Sequence, residues 1–179
     1  MDIHDQQADA KNTRQPKWKM RPTYENKQSL EAERKAVETL SKIWKVQFIK
    51  MPISYHLDYA MIHKINVYQY GEALKDSIVG FAEVKVRTNP ITQYDTYMIA
   101  LSKVLKARQL SEATKKSSIL IVNWRTTNKD STKNNCIGWI NFNKEFELGF
   151  GGRKDRNDWQ DQEPVALYPI SMFKAEVNE

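Results

Sequence analysis

Only one cysteine, Cys136, stands in a chain of 179 residues. A single thiol closes no internal disulfide, so the chain suits a reducing compartment or is indifferent to redox, and a cytoplasmic setting is expected. The same scarcity removes the paired-cysteine zinc sites, and the three histidines, His4, His56 and His63, have no zinc-ligand spacing. No His-Asn-His nuclease pattern occurs, and no Gly-x-x-x-x-Gly-Lys loop supports a nucleotide triphosphatase. No apolar run approaches the roughly 18 residues of a membrane span. The segment Met1 to Ala10 is polar and acidic, with no basic stretch leading into an apolar one, so no secretory signal is expected. Cys136 opens an apolar run and reads as core before nucleophile.

What is present is an ordinary apolar content of 40%, enough for one domain with one packed core, and a net charge of +6 with a pI of about 9.3. The basic balance favours an anionic partner such as nucleic acid without requiring one. Residues 1–26 lack periodicity and carry Lys11, Arg14, Lys17, Lys19 and Arg21 with no acid between them. They read as an extended or disordered arm, either a phosphate contact or a solvated tail. A globular domain is expected over 27–179.

Ser29 to Trp44 has helical periodicity, with Ser29 as N-cap, Glu31 and Glu33 in the first turn, and Leu30, Val37, Leu40 and Trp44 as the apolar stripe. Glu33 falls on that stripe, and an inward carboxylate is costly unless paired. Strand-like runs follow at Lys45–Lys50, His56–His63 and Ile65–Tyr70, then a turn from Gly71 to Asp76 and a strand from Ser77 to Arg87. Thr96 to Thr114 is predicted as a second helix, and Ser118–Trp124 as a strand buried on both faces. Arg125–Asn135 reads as a polar loop, Cys136–Phe142 as a strand, and Leu148–Asp161 as a flexible basic loop. Val165–Phe173 is a final strand or edge segment. Apolar strands on both sides of the second helix imply a crossover, hence an α/β fold whose mixed central sheet is flanked by helices.

Alternation along the strand 77–87 puts Phe81, Glu83, Lys85 and Arg87 on one face and Ala82, Val84 and Val86 on the other. Asp58 lies inside an otherwise apolar stretch. If the two strands are neighbours, Asp58 and Glu83 converge, with Glu33 arriving from the first helix. Each piece has a plain alternative: a solvent-facing Glu-x-Lys pair, an aspartate at a sheet edge, a helix glutamate acting as cap or arginine partner. His56 shares the face of Asp58 and lines the site or is simply exposed. Tyr94 and Tyr97 follow a loop beside the proposed site and are open to stacking on bases or to packing, whereas Trp124 and Trp139 read as core.

The order of Glu33, Asp58, Glu83-Val84-Lys85, a long helix and an apolar strand resembles the PD-(D/E)xK nuclease superfamily, in its small phage and prophage members with a restriction-endonuclease-like fold. The resemblance runs over Gln28 to Phe173, through Tyr-His-Leu-Asp-Tyr-Ala (55–60), Phe-Ala-Glu-Val-Lys-Val-Arg-Thr (81–88), the segment 97–110, the strand 119–124 and the segment 164–173. It implies Asp58 and Glu83 as metal ligands helped by the Val84 carbonyl, Lys85 as catalytic lysine, and Glu33 as an aid to a second metal or its waters. It implies Lys103 near the phosphate, and Arg87 is a nearby cation suited to holding the polyanion. Asp58 follows Leu57 where the superfamily's name has proline. The expected cofactor is Mg²⁺, with Mn²⁺ as substitute, and the expected partner is DNA, with no membrane and no small-molecule cofactor. A homodimer would suit junction cleavage. Exonuclease, junction-selective and site-specific activities are not separated. The rival expectations are a nucleic-acid-binding module that keeps the fold without the reaction, and a structural protein with an ordinary α/β core.

Overall fold

The computed structural model describes residues 27–63, 78–125, 136–152 and 162–178. The expected basic arm over 1–26, the strand at 65–70 with its following turn, most of the polar loop 125–135 and the basic end of the glycine segment lie outside the described residues.

Helix α1 (Lys27–Trp44) leads into strand β1 (Val46–Lys50), a short 3₁₀ turn (Ile53–Tyr55) and β2 (Tyr59–His63). Then come β3 (Ile78–Arg87), β4 (Thr96–Ala100), α2 (Leu101–Thr114), β5 (Ser117–Trp124), β6 (Cys136–Asn141), β7 (Glu147–Gly152), β8 (Gln162–Pro169) and β9 (Lys174–Asn178). Six strands form the main sheet in the order β1-β2-β3-β5-β6-β9, and three form a second sheet in the order β4-β8-β7. β3 and β5 are parallel and the other neighbours antiparallel. α2 lies on the connection between the two parallel strands, which is the mixed α/β sheet expected.

Two cores cover the two faces of the main sheet. On one, Ala36 and Leu40 of α1 pack on Met61, Ala82, Val84, Ile119, Ile121 and Ile137. On the other, Val104 and Ala107 of α2 join Phe81, Leu120, Val122, Trp124 and Ile140 with Tyr97, Ile99, Ala166 and Tyr168 of the second sheet. The strand β5 is therefore apolar at successive positions, because both its faces are covered.

Three local readings change. α1 already runs from Lys27, so Ser29 lies inside it and no acid sits in its first turn. Its buried line is Ala32, Ala36 and Leu40, spaced four apart on one face, while Leu30 is 43% exposed; the small Ala32 and Ala36 let that part of the helix lie close to the sheet. The expected helix Thr96–Thr114 begins only at Leu101. Thr96 to Ala100 is a strand paired with β8, with Tyr97 and Ile99 buried at period two, and its aromatic and β-branched residues suit a pleat. The glycine segment expected as a loop starts as β7, and Lys174–Asn178 adds an unforeseen edge strand beside β6.

Candidate active site

Pairing between β2 and β3 runs out at Tyr59 opposite Ala82, which leaves the far half of β3 without a backbone partner on that edge. Asp58, expected within a strand, instead sits one residue ahead of β2 and takes over there. Its N–H donates to the Ala82 carbonyl at 3.1 Å, its carbonyl accepts from Met51 N at 2.9 Å, and its Oδ2 accepts from Val84 N–H at 2.9 Å. The carboxylate thus stands in for a missing ladder bond, and three hydrogen bonds hold the residue. The C=O of a strand residue leaves on the same edge as its N–H, so the Val84 carbonyl also opens toward Asp58.

Glu83 and Lys85 share the α2 face of β3, as alternation requires. Glu83 is fully buried, and the Lys85 Nζ lies 2.5 Å from its Oε1 and 4.0 Å from Asp58 Oδ2. One ammonium therefore lies against Glu83 and within ion-pair range of Asp58, and the two carboxylates are separated by no more than the two distances together. Lys103, in the first turn of α2, reaches the same glutamate, at 3.0 Å from Oε1 and 3.0 Å from Oε2, and donates to the His56 carbonyl at 2.6 Å. That carbonyl is aimed by a left-handed backbone at His56 (φ 61°), so His56 is an exposed turn residue and not a strand residue. The hydrogen bond of Lys103 goes to Oε2. Glu83 Oε1 lies against the ammonium groups of both Lys85 and Lys103.

Burial, which disfavours an ammonium, is outweighed at Lys85 by the charges of Glu83 and Asp58, and its pKa is raised. The lysine therefore stays cationic at neutral pH in the metal-free protein, suited to donating hydrogen bonds and not to removing protons.

Glu33 was expected to meet Asp58 and Glu83 at one point; it does not. It approaches from α1, on the opposite face of the sheet from Glu83, and is taken up by other partners. Its Oε1 accepts from Tyr59 Oη at 2.7 Å and from Lys50 Nζ at 2.8 Å. Lys50 also stands 3.6 Å from Asp58 Oδ1 and 4.6 Å from the centre of the Tyr59 ring. Among the described residues no group of three or more His, Cys, Asp or Glu is placed to hold an ion. The donors that remain near one point are Asp58, Glu83 and the Val84 carbonyl. Two carboxylates and a carbonyl, one of the carboxylates fully buried, fit a hard cation that keeps several of its waters, as Mg²⁺ does. They do not fit zinc.

Of the expected nucleic-acid contacts, Arg87 extends the row of Glu83 and Lys85 along β3, its guanidinium 5.0 Å from the centre of the Tyr97 ring. Tyr97 is only 4% exposed and packs edge-on against Trp124, so its ring face is not open to a base. Burial raises its phenol pKa, more than the nearby Arg87 and Lys85 charges lower it. Tyr94 is 62% exposed and lines an open pocket of about 360 Å³ with Arg87, Asn89, Thr96 and Ile170. Lys103 is engaged with Glu83 where a phosphate contact was expected.

Lys50 and Tyr59 escaped the sequence reading. They are directly opposite one another in the β1–β2 register, which is visible only once the hairpin is built. The adjacency of Tyr59 to Asp58 was the one signal available. Burial first, and then the hydrogen bond to Glu33, push the Tyr59 phenol up to about 12.

No curated protein matches the sequence. A family model described as "Phage putative PDDEXK endonuclease" matches residues 19–176, a span that takes in every residue of the site. With Asp58, Glu83 and Lys85 gathered where β3 loses its partner strand, and most of its length inside that match, the chain belongs to this phage PDDEXK endonuclease family of nucleases.

Proposed function

We propose that the protein is a Mg²⁺-dependent deoxyribonuclease, with Mn²⁺ as substitute, that hydrolyses phosphodiester bonds during phage DNA recombination, repair or processing. The observation that carries this reading is the Lys85 ammonium placed between the two carboxylates, 2.5 Å from Oε1 of the fully buried Glu83 and 4.0 Å from Asp58 Oδ2. Asp58, Glu83 and the Val84 carbonyl would hold the ion. A bound Mg²⁺ would offset charge on the phosphate and acidify an attacking water. Asp58 is kept in place by the Val84 N–H and Glu83 by Lys103, so neither carboxylate must reorganise as charge develops. Lys85 orients the water or meets the phosphoryl oxygen with its ammonium. Arg87, two residues on along the same face, is placed for a neighbouring phosphate, and Tyr94 for a base beyond it.

The test is cleavage of linear, single-stranded, nicked and branched DNA with Mg²⁺ or Mn²⁺, by wild type and Lys85→Ala. Wild type is expected to cut at least one substrate, and the variant to lose roughly 10²–10³-fold, the cost of removing one preorganised donor. Asp58→Asn is expected to abolish turnover while DNA binding stays within a few-fold. A folded wild type that cuts none of the substrates leaves a DNA-binding module and removes the enzyme. The substrate panel also separates exonuclease from branch-selective endonuclease.

A further inference from the structure

The Asp58 carboxylate faces two ways. Oδ2 meets the Val84 N–H and Lys85, on the Glu83 side; Oδ1 meets Lys50, on the Glu33 side. A carboxylate with an acidic neighbour on each side is the usual bridge between two divalent cations in phosphodiester hydrolysis, one activating water and one at the leaving oxygen. Here the second place is taken by the protein. Lys50 Nζ lies between Glu33 Oε1 at 2.8 Å and Asp58 Oδ1 at 3.6 Å, above the Tyr59 ring. The same Glu33 oxygen also accepts the Tyr59 hydroxyl, so it is already occupied twice. Glu33, Asp58 and Glu83 carry three formal negative charges, and Lys50, Lys85 and Lys103 carry three positive ones in contact with them. A divalent ion on the Glu33 side would have to displace Lys50 or sit against its charge.

We propose that Lys50 supplies the second positive charge of the site as a fixed ammonium, so that the nuclease holds one divalent cation, on the Asp58–Glu83 side, and not two. This rests on the metal-dependent reading above. It gives Glu33 and Tyr59 the task of positioning Lys50, and it explains why Glu33 does not join the other two carboxylates. Lys50 then lies on the opposite side of Asp58 from the ion, where it can neutralise a phosphate oxygen.

The full chain is titrated with Mn²⁺ by calorimetry and by loss of the free-ion paramagnetic resonance signal. Wild type is expected to take up one ion, and Lys50→Met two, with the spectrum of a coupled Mn²⁺ pair appearing only in the variant. Lys50→Arg, which keeps the charge, is expected to stay at one. The Mn²⁺ dependence of cleavage should rise from first order in wild type toward second order in Lys50→Met. Two ions in wild type, or one in Lys50→Met, overturn the proposal while leaving a metal-dependent nuclease intact. No ion in folded wild type overturns both. Lys50 is half-exposed on an edge strand, so a folded variant is expected, and a thermal melt checks it. If Lys50→Met does not fold, Lys50→Gln takes the same titration, and the wild-type stoichiometry alone still decides against the proposal if it is two.

Discussion

Burial first, and then donation to the Glu33 carboxylate, make the Tyr59 phenol resist ionisation. Its folded pKa of about 12 exceeds the unfolded value near 10, so its contribution to stability is whole below pH ~10 and is lost as pH rises from there through about 12. Lys85 and Tyr97 are also raised and act with the same sign in the alkaline range. Denaturant unfolding at pH 8, 10 and 11 should therefore show stability falling above pH 10, and less steeply in Tyr59→Phe. At pH 8 that variant should be weaker by about 1 kcal/mol, the net worth of one hydrogen bond. An identical pH slope in both proteins would count against the Glu33 contact. At this scale the sequence was partly legible. Glu83 and Lys85 could be placed on one face because a strand alternates strictly. Asp58 could be suspected but not positioned, because its place depends on a hydrogen bond to the backbone of another strand.

β3 carries Glu83 and Lys85, and its seat against β5 is set at Gly80. A Cβ there would lie 2.7 Å from the Ser117 carbonyl oxygen and 2.8 Å from the Met61 methyl. The methyl can swing aside; the backbone oxygen of the paired strand cannot. Gly80→Ala should cost about 1–3 kcal/mol in urea unfolding, as overpacking does, and should lower cleavage by shifting β3 against its neighbours. Unchanged stability would mean that the two strands are not held this closely. The misread element, Thr96–Thr114, has a related lesson. Its first five residues are buried at alternate positions, but Tyr97, Met98, Ile99 and Ala100 are apolar in succession, so the sequence shows no period-two signal and the segment reads as the start of the helix. Pairing with β8, some 65 residues later in the chain, decides the strand.

The whole molecule carries +6, and most of the charge near the site is already matched. Phosphates other than the one being cleaved would therefore be met by cations outside the six-charge cluster, Arg87 among them. DNA binding measured with Ca²⁺ in place of Mg²⁺ should weaken linearly in log–log terms as salt rises, with a slope of about −0.9 per phosphate contacted. Arg87→Ala should bring that slope closer to zero by about one unit. Binding indifferent to salt would remove the electrostatic basis of the DNA reading. Among the described residues no helix is long and apolar enough to cross a membrane.

The sequence by itself determined the class of the fold, the crossover from β3 through α2 to β5, the shared face of Glu83 and Lys85, and the family. These follow from local periodicity and from short motifs, which act within one strand or one helix. Only the tertiary structure decided that Asp58 completes the edge of β3, that Lys103 binds Glu83, and that Glu33 is held by Lys50 and Tyr59 on the far face of the sheet. Those outcomes depend on strand register and on which face each helix covers, and both are fixed by packing between segments that are distant in the chain.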